Sequence, residues 1–287
     1  VPEERQTKDQ RREAAREVAR IEREKMKKRE ARNRIFLRGG VTLGILAVLG
    51  VVALVIVIAV QPPGPGPRNM LSDGILLTSE DGTVIAADQT DAIPSEGEPV
   101  PTDPSTLDTE LNIVVYVDYL CPFCKLFEDT NAATIDALLR DGVASLEVHP
   151  ISILDRASLG SRYSSRAANA MACVADLHPN QFYDASAALF TAQPAENTEG
   201  LSNESIIGVI GGAGVLTEEL SACINDERFK SWVTAASQRA TDGPLPNADI
   251  ENVEGTPTVL VNGVRYTGPL DDPQAFIDFL DAQAPTL

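Results

Sequence analysis

Basic residues, cysteines and histidines are all scarce in this chain. Of 287 residues, 24 are Lys or Arg against 42 Asp or Glu, 4 are Cys and 2 are His. The shortage of positive charge is uneven. Residues 1–38 hold 14 basic side chains against 8 acidic ones, which leaves 10 against 34 for everything after them. So acidic a body repels phosphate, which excludes nucleic acid as a partner. A zinc site is also poorly supplied: Cys173, Cys223, His149 and His178 form no second close pair to complete one begun by Cys121 and Cys124. No metal or cofactor is expected. Residues 41–60, VTLGILAVLGVVALVIVIAV, lack any charge, and no internal repeat is present.

Twenty uncharged residues make a helix of about 30 Å, the thickness of a bilayer's hydrocarbon core. A buried core helix would not need such a run between an Arg-rich flank and QPPGPGP. A cleaved signal peptide is the other rival, but its basic region would be too long and no clear small-x-small site follows. The segment reads as a signal anchor in contact with membrane lipid. Arg32, Arg34 and Arg38 precede it, so the N-terminus faces the cytoplasm and the chain after Gln61 lies outside it. Disulfides persist there.

Five regions follow from these patterns. Residues 1–38 contain a charged helix from about Lys8 to Arg34, free of Gly and Pro, either solvated or a contact for a partner or anionic lipid. Residues 39–61 are the anchor. Residues 62–110 read as a Pro-rich acidic linker with a short hairpin around Asp81-Gly82. Residues 111–157 and 241–287 read as one α/β domain: strand, helix from Pro122 to about Leu139, strand, then a late hairpin at Asn262-Gly263 and a helix capped by Asp272-Pro273. Residues 158–240 have helical period and no strand signal, so they read as a helical insertion. Trp232, Phe182, Tyr183 and Phe190 fall at helical spacings in it and read as its core. His149 reads as structural, and His178 is assigned nothing.

The chemistry lies in DYLCPFC, where a strand ends and a helix begins. Pro122 suits the first helical turn, because its missing N–H would have been unpaired. The helix's free N–H groups point at Cys121 and stabilise a thiolate, the nucleophile of disulfide exchange. Cys121 is expected to be exposed and attacked, with a pKa of roughly 4 to 7. Cys124, one turn on, is expected to be more buried and to resolve the mixed disulfide. A zinc site, a purely structural disulfide and a vestigial pair in a binding domain are the alternatives.

DYLCPFC, the helix after it, the long helical insertion and the late GTPTVLVNG together resemble the DsbA-type thiol:disulfide oxidoreductases of the thioredoxin superfamily, in particular the membrane-anchored actinobacterial members. The resemblance spans residues 111–283 and implies a thioredoxin-like fold with an inserted helical domain, preceded by one transmembrane helix. It implies that Pro257 is cis and faces the redox pair. The backbone of Thr256 would then be unpaired beside Cys121, in a substrate groove edged by Pro122 and Phe123. It further implies a structural disulfide between Cys173 and Cys223; two buried thiols are the other reading. Two positions depart from the pattern. Phe123 stands where the strongest oxidants have His, and Val115 where many relatives have a buried carboxylate.

The expected function is therefore an extracytoplasmic enzyme that forms or rearranges disulfides in exported, cysteine-containing proteins. The resemblance implies reoxidation by a quinone-linked membrane partner. A reductase on the same fold, and a thioredoxin-like accessory subunit of a larger membrane complex such as a respiratory one, are the alternatives.

Overall fold

Leu111–Val117, LNIVVYV, is rich in β-branched residues and buries one face wholly and the other in part, as suits a central strand. The computed structural model describes residues 16–17, 20–29, 48–50, 64–79, 82–95 and 97–284. They belong to two compact units, Val1–Gln61 and Pro62–Leu287. In the first, residues 20–29 are helical and exposed, within the charged helix expected there. Most of the expected membrane span, residues 41–60, lies outside the described residues. Among the described residues no helix is long and apolar enough to cross a membrane.

The second unit is built on a six-stranded sheet in the order β2-β1-β4-β3-β5-β6. The strands are β1 (Ile75–Thr78), β2 (Ala86–Ala87), β3 (Leu111–Val117), β4 (Ala144–Pro150), β5 (Thr258–Val261) and β6 (Val264–Arg265). β3 and β4 run parallel, with Leu111 opposite Ala144 and Val117 opposite Pro150, and α1 (Pro122–Arg140) makes the crossover. α1 buries Cys124, Phe127, Asn131, Ile135 and Leu139, one stripe at helical spacing. β5 pairs antiparallel with β3, Tyr116 opposite Thr258. Asn262 and Gly263 turn β5 into β6 at φ 49 and 81, as a two-residue type I′ hairpin requires. Asp272 caps the last helix, α7 (Pro273–Gln283), through Gln274 N and Ala275 N at 3.0 and 3.2 Å.

Between β4 and β5 lie five helices: α2 (Tyr163–Leu177), α3 (Phe182–Thr191), α4 (Asn203–Gly212), α5 (Glu218–Asn225) and α6 (Lys230–Asp242). α2 is the hub. Residues 167–175 of it are all buried, and five of them are alanines, so neighbouring helices pack close on every side. Trp232, Phe182 and Phe190 are buried in this block as expected, while Tyr183 is half-buried.

The reading of residues 62–110 as a linker needs correction. The hairpin is there, with Leu77 opposite Ala87, but β1 also pairs antiparallel with β4, Leu76 opposite Glu147. Ile75 and Leu77 are almost wholly buried, so the apolar strand covers what would be an open edge of β4. The preceding residues are anchored by polar contacts to the helical block. Arg68 Nε donates to Asp176 at 3.0 Å, and Asp73 accepts from Trp232 Nε1 at 3.1 Å and from Arg239 Nε at 2.6 Å. The acidic connector has one short 3-10 turn at Pro104–Thr106 and is held at Thr102 O by Asn247 Nδ2, 2.9 Å.

Candidate active site

Cys121 is the N-cap of α1, with extended backbone at φ −72 and ψ 116, and Pro122 takes the first helical position. That placement leaves the first N–H groups of α1 without helical acceptors, beside the Cys121 sulfur. The turn into the helix is fixed from below by Asp118. Its Oδ1 accepts from Leu120 N at 2.9 Å, and its Oδ2 accepts from Ile153 N and Leu154 N at 2.9 and 3.0 Å. Asp118 is fully buried, and burial pushes its carboxyl up while these hydrogen bonds pull it down. One side chain thus ties the end of β3 to the chain leaving β4. Its one sequence signal was a charge at the end of an apolar strand.

The two sulfurs sit in unequal surroundings. The Cys121 thiol is pulled down to about 6. A hydrogen bond from the Cys124 thiol is the largest cause. Burial opposes it, and Thr256 and the N–H groups of Cys124 and Phe123 add to it. The helix terminus contributes as expected, but its partner cysteine contributes more. Burial pushes the Cys124 thiol well above the ordinary range. Cys121 is not exposed, contrary to expectation. It is only 4 % accessible against 2 % for Cys124, because the loop before β5 lies over it.

That loop holds Thr256 and Pro257, joined by a cis peptide bond. The Thr256 carbonyl is not free, as the groove was expected to leave it. It accepts the Cys121 Sγ–H at 3.0 Å. At the mouth, Phe123 is 60 % exposed and Leu126 38 %, so the rim beside the sulfur is apolar. A second cis bond, Gly243–Pro244, had no sequence signal.

Below Cys124 lies a cavity of about 30 Å³, room for one or two waters. Val115 lines it, and so do Phe127, Tyr183 and Glu128. Glu128 is the one carboxyl in that lining. It stands four residues after Cys124, on the same helical face, and burial pushes it up to about 7. The sequence carried this signal only as a spacing.

The other two cysteines are joined. Cys173 in α2 and Cys223 in α5 form a disulfide with Cα atoms 6.0 Å apart. His149 is buried in β4 with Nε2 3.2 Å from Glu147, and its ring stacks on Tyr116 at 4.4 Å, away from the cysteines.

A thioredoxin family model matches residues 106–282. No curated protein matches the sequence. Among solved structures, the chain is similar to oxidised DsbA of Mycobacterium tuberculosis, with 30 % identity and a TM-score of 0.54 over 73 % of this chain and 91 % of that one. It is similar to the reduced disulfide bond oxidoreductase DsbG of the same organism, with 28 % identity and a TM-score of 0.54 over 73 % and 86 %. BdbD of Bacillus subtilis shares the fold at 18 % identity, with a TM-score of 0.53 over 78 % and 98 %. The chain belongs to the thioredoxin family and, within it, to the DsbA-like thiol:disulfide oxidoreductases.

Proposed function

We propose that the chain is tethered to the membrane by residues 41–60, with its N-terminus cytoplasmic. Cys121 and Cys124 then form or rearrange disulfides in exported, cysteine-containing proteins. The observation that carries this reading is the asymmetry of the pair: the N-cap sulfur favours thiolate at neutral pH and the inner one does not. In the oxidised form Cys121 and Cys124 share a disulfide. A substrate thiolate attacks Cys121 Sγ, the S–S bond breaks, and Cys124 leaves as a thiolate. That sulfur is buried, so it takes a proton, and Glu128 in the same cavity is the group that supplies it. A second substrate thiolate attacks the substrate sulfur of the mixed disulfide. Cys121 leaves as a stable thiolate, and the substrate has lost two electrons to the pair.

In the oxidised pair Cys121 has no S–H to give the Thr256 carbonyl, so substrate pairs there in extended form, with Phe123 and Leu126 beneath it. Cys173–Cys223 takes no part and braces the helical block. A quinone-linked membrane protein removes the two electrons. The test is the reduction potential of the full-length chain. A value nearer about −120 mV supports an oxidant, and one near about −270 mV makes it a reductase. Failure to oxidise a reduced, unfolded model protein would remove the reading.

A further inference from the structure

The helical insertion reaches the turn at Cys121 through a hydrogen-bonding side chain, Gln193. α3 ends at Thr191, and Gln193 follows it with its N–H turned back to Phe190 O at 3.2 Å. The Gln193 side chain then crosses to the other domain. Its Nε2 donates to Tyr119 O at 3.1 Å and to Cys121 O at 3.0 Å. α3 grips Tyr119 by two further contacts. The Tyr119 ring packs on Phe190 at 4.8 Å, and its hydroxyl meets Ser186 Oγ at 3.0 Å. The position of Gln193 over the turn is thereby fixed, not incidental.

We propose that Gln193 is a positioning residue for Cys121, acting from the helical insertion on the two carbonyls that flank the turn into α1. This rests on Cys121 being the attacked sulfur. The physical argument has two parts. The Cys121 carbonyl is the first acceptor of α1 and already takes Cys124 N at 3.1 Å and Lys125 N at 3.2 Å. A third donor from outside the helix fixes the plane of that peptide. It thereby fixes where Sγ stands relative to the N–H groups of Phe123 and Cys124 that hold its thiolate. The second part is electrostatic. An amide N–H₂ shared by the Tyr119 and Cys121 carbonyl oxygens offsets the negative ends of both dipoles at the turn that carries the sulfur, without adding a net charge. One nitrogen with two hydrogens matches two acceptors.

The test uses the full-length chain, with iodoacetamide alkylation of Cys121 followed against pH and the reduction potential measured alongside. Gln193→Leu keeps the bulk and removes both hydrogens. It is expected to raise the Cys121 pKa by roughly half a unit to one unit, a three- to tenfold change in the thiol–thiolate ratio, and to make the potential more negative. Gln193→Glu adds a negative charge to the same loss and is expected to shift both further in the same direction. A role in packing alone would lower the melting temperature and leave pKa and potential at their wild-type values, and that result overturns the proposal. If neither variant folds, the wild-type chain decides. The Gln193 side-chain amide resonances must titrate with the Cys121 midpoint, and amide signals that ignore it overturn the proposal as well. A wild-type Cys121 pKa at or above about 8.5 would remove the parent reading and this one with it. A depressed wild-type value with unmoved variants removes Gln193 alone.

Discussion

The chain carries two cysteine pairs, and burial does not tell them apart. Cys121 and Cys124 are 4 % and 2 % accessible, and Cys173 and Cys223 are wholly buried. What differs is the backbone around each sulfur. Cys173 lies within α2 and Cys223 within α5, where the neighbouring N–H groups are spent on helical hydrogen bonds. Nothing there favours a thiolate. Cys121 stands one position before its helix, where the Phe123 N–H has no helical acceptor, and its partner thiol donates to it as well. The difference in acidity comes from the partner thiol and the helix end rather than from exposure.

That contrast breaks most sharply at Cys121. Cys121→Ser should abolish exchange with a dithiol substrate. Cys124→Ala should let the Cys121 thiolate attack a disulfide-bonded substrate and leave the mixed disulfide unresolved, visible on non-reducing gels. If Cys121→Ser retained exchange and the Cys173–Cys223 variant lost it, the two pairs would have been assigned the wrong way round.

Removing the other pair tests the other side. Cys173→Ser with Cys223→Ser opens a loop of 50 residues. The chain-entropy account puts the cost at about 4 kcal/mol before strain, and hence a melting temperature lower by roughly 8–16 °C. The alkylation rate of Cys121 should not change. A lowered rate with unchanged melting would show a second redox pair.

Acidity separates the pairs more finely. The Cys121 thiol ionises at about 6 in the fold against 9.0 for an unperturbed cysteine. Between those values the unfolded chain holds a proton that the folded chain has released. The reduced form should therefore gain stability as pH rises from about 6 to 9, and lose that gain on acidification through about 6. The oxidised form has no thiol at that position and should not show this rise. Calorimetry of both forms at pH 5.5, 7 and 8.5 measures the difference, and parallel curves would contradict it.

The smallest expected effect is at Glu128. Glu128→Gln cannot give the departing Cys124 sulfur its proton, so formation of the mixed disulfide should slow, with the slowing most marked near pH 7, where this carboxyl titrates. Stability should rise slightly above pH 7, because a half-buried charge has been removed. Equal rates in wild type and variant across that range would dismiss Glu128 as a proton donor.

Local signals predicted much of this molecule. A β-branched run, proline at a first helical turn, Asn262-Gly263 and Asp272-Pro273 each act within a few residues, and each element appears where its signal stands. The unequal cysteines were legible for the same reason, since a strand-to-helix junction implies free N–H groups. The linker reading failed because residues 64–110 carry few packing side chains for their length. Their order comes from partners far along the chain, such as Arg68 with Asp176 and Asp73 with Arg239.

The sequence by itself determined the chemistry: which sulfur begins a helix, which helices bracket it, and the acidic body after an uncharged run of twenty residues. The tertiary structure decided access and tuning. It laid the Thr256 carbonyl on the Cys121 thiol, enclosed Glu128 with Cys124, and brought Gln193 across from the insertion to Cys121 O. The reason is physical. A hydrogen bond spanning 72 residues depends on how two packed bodies meet, and no periodicity or local propensity in the chain encodes that distance.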